Sequence, residues 1–198
     1  MQLMSSIKLS PNLSPHLSHQ AQQTCHQVAR ESIKHGLQYG NKLSVTTSDY
    51  TEELQQDYAT FVTLHKNGSL RGCIGALEAY QPLINDISEH AFAAAFSDPR
   101  FPQLSQDEFE QLDIEISVLG KPELINFESE DDLLNQIRPE IDGLIIEFGY
   151  NRGTFLPSVW EQLPDKKEFL NHLKMKAGLS AQWWDNAAKI SRYETFSF

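Results

Sequence analysis

Cysteine is scarce in this chain: Cys25 and Cys73 are the two thiols among 198 residues. A pair so far apart does not make a disulfide framework, which fits a reducing compartment and free thiols. Long apolar runs are missing, and nothing approaches the ~20 residues that a membrane helix requires. Basic residues are few, with Lys+Arg at 16 against Asp+Glu at 27 and a formal charge of -11. A surface of that sign repels phosphate backbones, and Lys166-Lys167 or Lys174 with Lys176 are too short to reverse it, so a nucleic-acid role is disfavoured. No GxGxxG or GxxxxGK[ST] pattern occurs, which removes the phosphate-cradle explanation for the glycines. The histidines are scattered, and His16-x-x-His19 lacks the ligand density of a metal site, so none is expected.

The first residues, "MQLMSSIKLSPNLSPHLS", hold one lysine and no continuous apolar block. They do not read as a secretory signal, and the expectation is a soluble, cytoplasmic protein. Residues 1–16 are rich in serine and proline and are expected to be mobile, leaving 17–198 as one domain that carries a smaller subdomain. Ala21, Cys25, Val28 and Ser32 recur at helical spacing from Ser18 to a stop at Gly36. A strand over Tyr58–Leu64 leads through Asn67-Gly68, a type I′ turn pair, into a second strand, "SLRGCIG". Pro82 opens a helix whose face is Leu83, Ile87, Ala91 and Ala94, and "SDPRFP" stops it. Ser105 to Glu108 and Ser129 to Asp132 are capping boxes. Between them "LDIEISVL" alternates, with Leu112, Ile114, Ile116 and Val118 facing a core. "GLIIEFG", the turn "YNRG" and "TFLP" read as a hairpin. Asp165 caps a helix that Gly178 ends, and one last strand spans Ile190–Phe196. Hairpins mixed with single helices point to an α+β fold with a mixed or antiparallel sheet.

Within "SLRGCIG", strict alternation puts Arg71 and Cys73 on one face and Leu70 with Ile74 on the other. A guanidinium beside a thiol favours the thiolate, and flanking glycines let a ligand approach. The same residues also suit plain packing, with Cys73 as a small buried hydrophobe and the glycines admitting a close neighbour. Glu115 lies opposite the apolar stripe of its strand, as either a solvated carboxylate or a cleft-facing base or binding group. Asp98 and Arg100 have the spacing to lock their own loop by a bidentate pair, and His90 is a reserve candidate base.

Taken in order, "FVTL", "LRGCIG", "AAFSDPRFPQL", "LDIEISVL", "DGLIIEFG", "FLPSVW" and "FLNHLKMKAGL" resemble the AMMECR domain family, known in bacteria as AmmeMemoRadiSam system protein A. The match runs from about Ala21 to Phe196. The resemblance implies an α+β fold with a smaller α/β subdomain and a cleft between the two, lined by the motifs. It assigns no firm reaction and no cofactor, and it suggests Memo-type and radical-SAM proteins as partners. The motif positions are Arg71, Gly72, Cys73, Gly75, Asp98, Arg100, Phe101, Glu115, Lys176 and Gly178. Lys174 stands where many relatives have cysteine, which weakens any mechanism needing a second motif thiol.

Two functional expectations follow. In one, the cleft around Cys73 binds a small molecule or a protein segment, with Gly72, Gly75, Asp98, Arg100 and Lys176 as ligand-binding positions. In the other, Cys73 is a nucleophile for a small acyl or carbonyl substrate, Arg71 stabilises charge and Glu115 is the base. The oligomeric state is open.

Overall fold

The computed structural model describes residues 17–198, so the expectations for residues 1–16, His16 included, lie outside the described residues. The described chain divides into two compact units. One comprises the residues up to Leu119 together with Phe196–Phe198, and the other Gly120–Thr195.

In the first unit, α1 (His19–Tyr39) is capped by Ser18, whose side chain accepts from the Ala21 N–H. The helix runs past Gly36 and stops at Gly40, whose φ of 74° is the left-handed conformation that closes helices. Gly36 serves packing instead: a Cβ there would sit 2.4 Å from the Phe96 ring and 2.8 Å from Phe92. A buried face at Gly36 extends the α1 pattern rather than ending it.

The first sheet has the order β2-β1-β3-β8, from β1 (Ala59–Lys66), β2 (Ser69–Gly75), β3 (Leu112–Leu119) and β8 (Thr195–Ser197). Asn67 and Gly68 both adopt positive φ, 52° and 76°, which a type I′ hairpin requires. Val62, Leu64, Ile116 and Val118 are fully buried on the face that meets α1 and α2 (Leu83–Phe96), where Leu83, Ile87, Ala91 and Ala94 complete the core. The short α3 (Gln106–Phe109) carries its capping box as the sequence indicates, with Ser105 and Glu108 bonded reciprocally.

The second unit holds a sheet of order β4-β7-β5-β6, made of β4 (Glu123–Leu124), β5 (Gly143–Phe148), β6 (Asn151–Phe155) and β7 (Lys189–Tyr193). Against it lie α4 (Glu130–Gln136) and α5 (Lys166–Lys176), whose Phe169, Leu170 and Leu173 are fully buried. The β5–β6 turn is shorter than expected: Asn151 already pairs with Phe148. The expected last strand is two strands in different sheets, β7 and β8. They part at Glu194, whose carbonyl accepts from the Gly120 N–H and whose carboxylate binds Arg138. The described architecture is α+β, built on two sheets.

Candidate functional site

The "SLRGCIG" strand does not alternate throughout. Leu64 pairs with Gly72 and His65 with Leu70, so Arg71 is the extra residue of a β-bulge. The bulge overturns the expected faces. Leu70 now shares the face of Cys73, 42% exposed, while Ile74 packs on the core. Arg71 leaves Cys73 altogether. Its Nε and Nη2 hold Glu108 at 3.0 and 2.9 Å, and Nη2 also donates to the Pro102 carbonyl at 3.0 Å. That pairing raises the proton affinity of Arg71 and, with the arginine bonds as the largest cause, holds the Glu108 carboxyl well below the usual carboxylate range. Glu108 takes Lys66 as well, so the carboxylate that caps α3 also gathers two cations. Alternation could not show this, because a one-residue bulge leaves no mark in the polarity pattern.

Cys73 stands opposite Thr63 on β1, and Thr63 stands opposite Glu115 on β3. Directly opposed residues of a sheet share a face, so Cys73, Thr63 and Glu115 form one row across three strands, on the side away from α1 and α2. The Thr63 hydroxyl donates to Cys73 Sγ at 3.2 Å. The thiol is half-buried, whereas Glu115 is exposed. Thr63 is a functional candidate that reading the strand alone misses; only cross-strand register identifies it.

β2 is an edge strand, and the loop after α2 closes its outer edge at Cys73. The Asp98 carboxylate accepts the Cys73 N–H at 2.9 Å, and Arg100 Nη2 donates to the Cys73 carbonyl at 3.3 Å. Arg100 in turn grips Asp98 through Nε and Nη2 at 3.0 and 2.7 Å, and its own N–H bonds Asp98 at 3.1 Å. Four donors thus fill the acceptor positions of a carboxylate that is 2% exposed in its side chain. Arg100 first, then the Cys73 and Arg100 amides, keep the Asp98 carboxyl well below the usual range against the opposing effect of burial. Asp98 therefore has no lone pair to spare for a ligand, while the Arg100 side chain is 54% exposed. The bidentate pair foreseen from sequence is present. It also organises the edge of the neighbouring strand.

The motif glycines sit where backbone approaches closely. A Cβ on Gly72 would lie 2.2 Å from the Ala94 carbonyl oxygen of α2, and one on Gly75 would lie 2.3 Å from the Thr60 carbonyl oxygen. Both distances are far inside contact, so the absence of side chains lets α2 and β1 pack there.

His90 carries a second polar group of the first unit. Its Nδ1 lies 3.0 Å from Asp86 Oδ2, and both residues are buried. Asp86 also accepts from the Thr60 N–H and hydroxyl at 3.0 and 2.6 Å and from Gln81 at 3.1 Å. These bonds tie the segment after β2 to α2. Thr60 faces the helices, so this network and Cys73 lie on opposite faces of the sheet.

In the second unit, Lys176 ends α5 with its ammonium 5.0 Å from the Phe155 ring centroid, and burial lowers its proton affinity. Lys174, one of the most buried side chains, bonds the Glu130 carboxylate and the Ala181 carbonyl, the latter at 3.3 Å. It also lies over the Trp184 ring, 5.5 Å from its centroid. Among the described residues no cluster of three or more His, Cys, Asp or Glu could hold a metal ion, and no helix is long and apolar enough to cross a membrane.

Comparison with known proteins agrees with these motifs. The AMMECR1 family model matches residues 26–198. A protein of Methanothermobacter thermautotrophicus is 40% identical over 161 residues, covering 80% of this chain and 84% of its own. A protein of Methanocaldococcus jannaschii is 39% identical over 158 residues, covering 78% and 79%. The crystal structure of an uncharacterized protein from Pyrococcus horikoshii superposes with a TM-score of 0.79 at 33% identity, covering 88% of each chain. The chain belongs to the AMMECR1 family.

Proposed function

We propose that the open face of the first sheet around Cys73 is where this protein recognises a small molecule or an extended segment of a partner protein. The observation that carries this reading is a half-exposed thiol whose backbone is held on both outward groups, by Asp98 and by Arg100. Cys25 is the contrast in exposure: it is fully buried, and burial pushes its thiol up to about 12. Leu70 and Phe61 supply apolar surface on the same face, and Glu115 and the exposed part of Arg100 supply polar groups. Lys176 is kept as a ligand-binding candidate on the strength of the motif it ends. Memo-type and radical-SAM proteins are the partners in this reading, in the cytoplasm, by resemblance of sequence.

The row Cys73, Thr63, Glu115 favours a second reading, a cysteine-dependent enzyme. The Cys73 thiolate, its proton released to solvent, would add to the carbonyl carbon of a small acyl or carbonyl substrate as the carbonyl π bond opens to an oxyanion. With an acyl substrate the oxyanion then collapses and expels the leaving group. Glu115, two strands away, would exchange a proton with the substrate's departing end or oxyanion and not with the thiol.

One experiment tests both. The native protein is alkylated with iodoacetamide across pH, in the presence and absence of a panel of small carbonyl compounds and carboxylic acids or a purified Memo-type protein, and each cysteine is followed by mass spectrometry. Cys73 reacting ahead of Cys25, with one compound or the partner slowing it, supports recognition at this face. Turnover of a compound by the wild type and not by Cys73→Ser supports the enzyme. Both readings fall if Cys73 is as inert as Cys25.

A further inference from the structure

We propose that Arg71 and Arg100 form a binding site for the carboxylate of a small organic acid, at the outer edge of β2 beside the Phe101 ring. The site does not use the Cys73 thiol, so this proposal and the readings above can fail separately.

An orphaned nitrogen carries the proposal. Arg71 is 8% exposed. A guanidinium offers five N–H donors, and Nε and Nη2 use three of them on Glu108 and the Pro102 carbonyl. The remaining pair sits on Nη1, which is buried and has no hydrogen-bond partner among the described residues. A buried donor without an acceptor loses its hydration and gains nothing in return, so folded proteins rarely leave one.

Neither neighbouring carboxylate has room for it. On Glu108, Oε1 takes Lys66 and Arg71 Nε, while Oε2 takes Arg71 Nη2 and the Ser105 N–H. Asp98 is filled by the Cys73 amide and by Arg100. The acceptor that completes Nη1 therefore comes from outside these groups. The bulge that takes Arg71 out of the strand's alternation is a device common beside binding sites.

The surroundings select a monoanion with an apolar body. Lys66, Arg71 and Arg100 stand against Glu108 and Asp98, which leaves one positive charge over in a chain whose formal charge is -11. One carboxylate balances that charge, and guanidinium groups match carboxylate geometry; a phosphate dianion overshoots it. The half-buried Phe101 ring lies against both guanidinia, its centroid 5.9 Å from Arg71 Cζ and 5.5 Å from Arg100 Cζ. Rotation of this one side chain opens a way to Nη1, and Arg100, 54% exposed, gives the second contact. A free acid can follow Nη1 below the surface, whereas an acidic side chain of a docked protein brings its own backbone with it.

The test is NMR of the arginine guanidinium groups in the whole isotope-labelled chain at neutral pH. Chloride is replaced at constant ionic strength by acetate, by inorganic phosphate or by a capped peptide containing aspartate. Acetate should shift the Arg71 Nη1 signal saturably and leave Arg30 and Arg138 in place. Arg71→Lys keeps a cation for Glu108 but lacks the Nη1 pair. The acetate concentration that raises its urea midpoint should be about tenfold higher than for the wild type, the worth of one charge-assisted hydrogen bond. Arg100→Gln should need about threefold more, as for a solvent-exposed charge. If Nη1 is completed by water alone, no probe shifts Arg71 saturably and the proposal falls. It falls equally if phosphate or the peptide binds more tightly than acetate. The wild-type titration decides these outcomes even where a variant does not fold.

Discussion

Asp98 accepts the Cys73 N–H at 2.9 Å from a loop that follows α2 by sequence and closes the edge of β2 in space. An edge strand carries unpaired amides and carbonyls that invite association with other strands. Here a carboxylate takes the amide and the arginine two residues on takes the carbonyl, so the pair occupies the positions a neighbouring strand would fill. One short motif thereby closes a sheet edge and fixes the backbone of Cys73.

This clamp makes stability depend on acid. The Asp98 and Glu108 carboxyls are both held well below the usual range in the folded protein, chiefly by hydrogen bonds from Arg100 and Arg71 respectively. A carboxylate whose folded pKa lies below its unfolded value binds fewer protons when folded, so it stabilises the fold above the unfolded value. That contribution is lost as pH falls from about 4 toward the folded value. Urea unfolding at a series of pH values should show stability falling steeply below about pH 4. Asp98→Asn and Glu108→Gln should each lower stability at pH 7 by about 2 kcal/mol, from lost charge-assisted bonds, and flatten the acid slope. An unchanged slope in both variants would show that other carboxylates govern the acid limb.

Much of the fold was readable because the chain states it in repeated local signs. The Asn67-Gly68 turn, the Ser105 and Ser129 caps and the buried stripe of β3 all stand where those signs put them. Arg71 was misplaced because a bulge changes facing without changing composition. The division of the last strand at Glu194 was hidden for a similar reason: two consecutive extended segments look alike whether or not they join the same sheet. Around Cys73, the pairing of Asp98 with Arg100 was legible in the motif. The contact of Thr63 with Cys73 was not, since it lies in the register between strands, which one strand's sequence does not encode.

The glycines of "LRGCIG" give a steric prediction. Gly72→Ala drives a methyl group into the Ala94 carbonyl oxygen, a backbone atom of α2 that cannot rotate aside. Overpacking of this kind costs about 1–3 kcal/mol. Gly75→Ala meets the Thr60 carbonyl oxygen and the Phe61 ring and should cost a similar amount. In contrast, Gly68→Ala meets no atom within 4 Å and suffers only from its positive φ of 76°, costing about 1 kcal/mol. Urea midpoints of the three variants should rank Gly68→Ala as the mildest. Equal losses at Gly72 and Gly68 would mean that α2 moves aside freely.

Lys174 allows a sharper separation of charge from packing. The side chain is 1% exposed and bonds Glu130, whose side chain is 24% exposed, so the pair is buried at one end and wetted at the other. Replacing one partner of such a pair leaves the other charge uncompensated, whereas replacing both by uncharged groups of similar volume is often nearly neutral. Lys174→Met should therefore lower stability by about 2–3 kcal/mol, below the cost of a fully buried pair because water reaches Glu130. Adding Glu130→Gln to Lys174→Met should recover most of that loss, since the methionine still covers Trp184 and the glutamine needs no counter-charge. The measurement is a double-mutant cycle by urea unfolding. Recovery would mean that the lysine matters for pairing a carboxylate that it brings into the interior. Additive losses instead would assign its contribution to the Ala181 carbonyl and the Trp184 ring, contacts that methionine cannot fully replace.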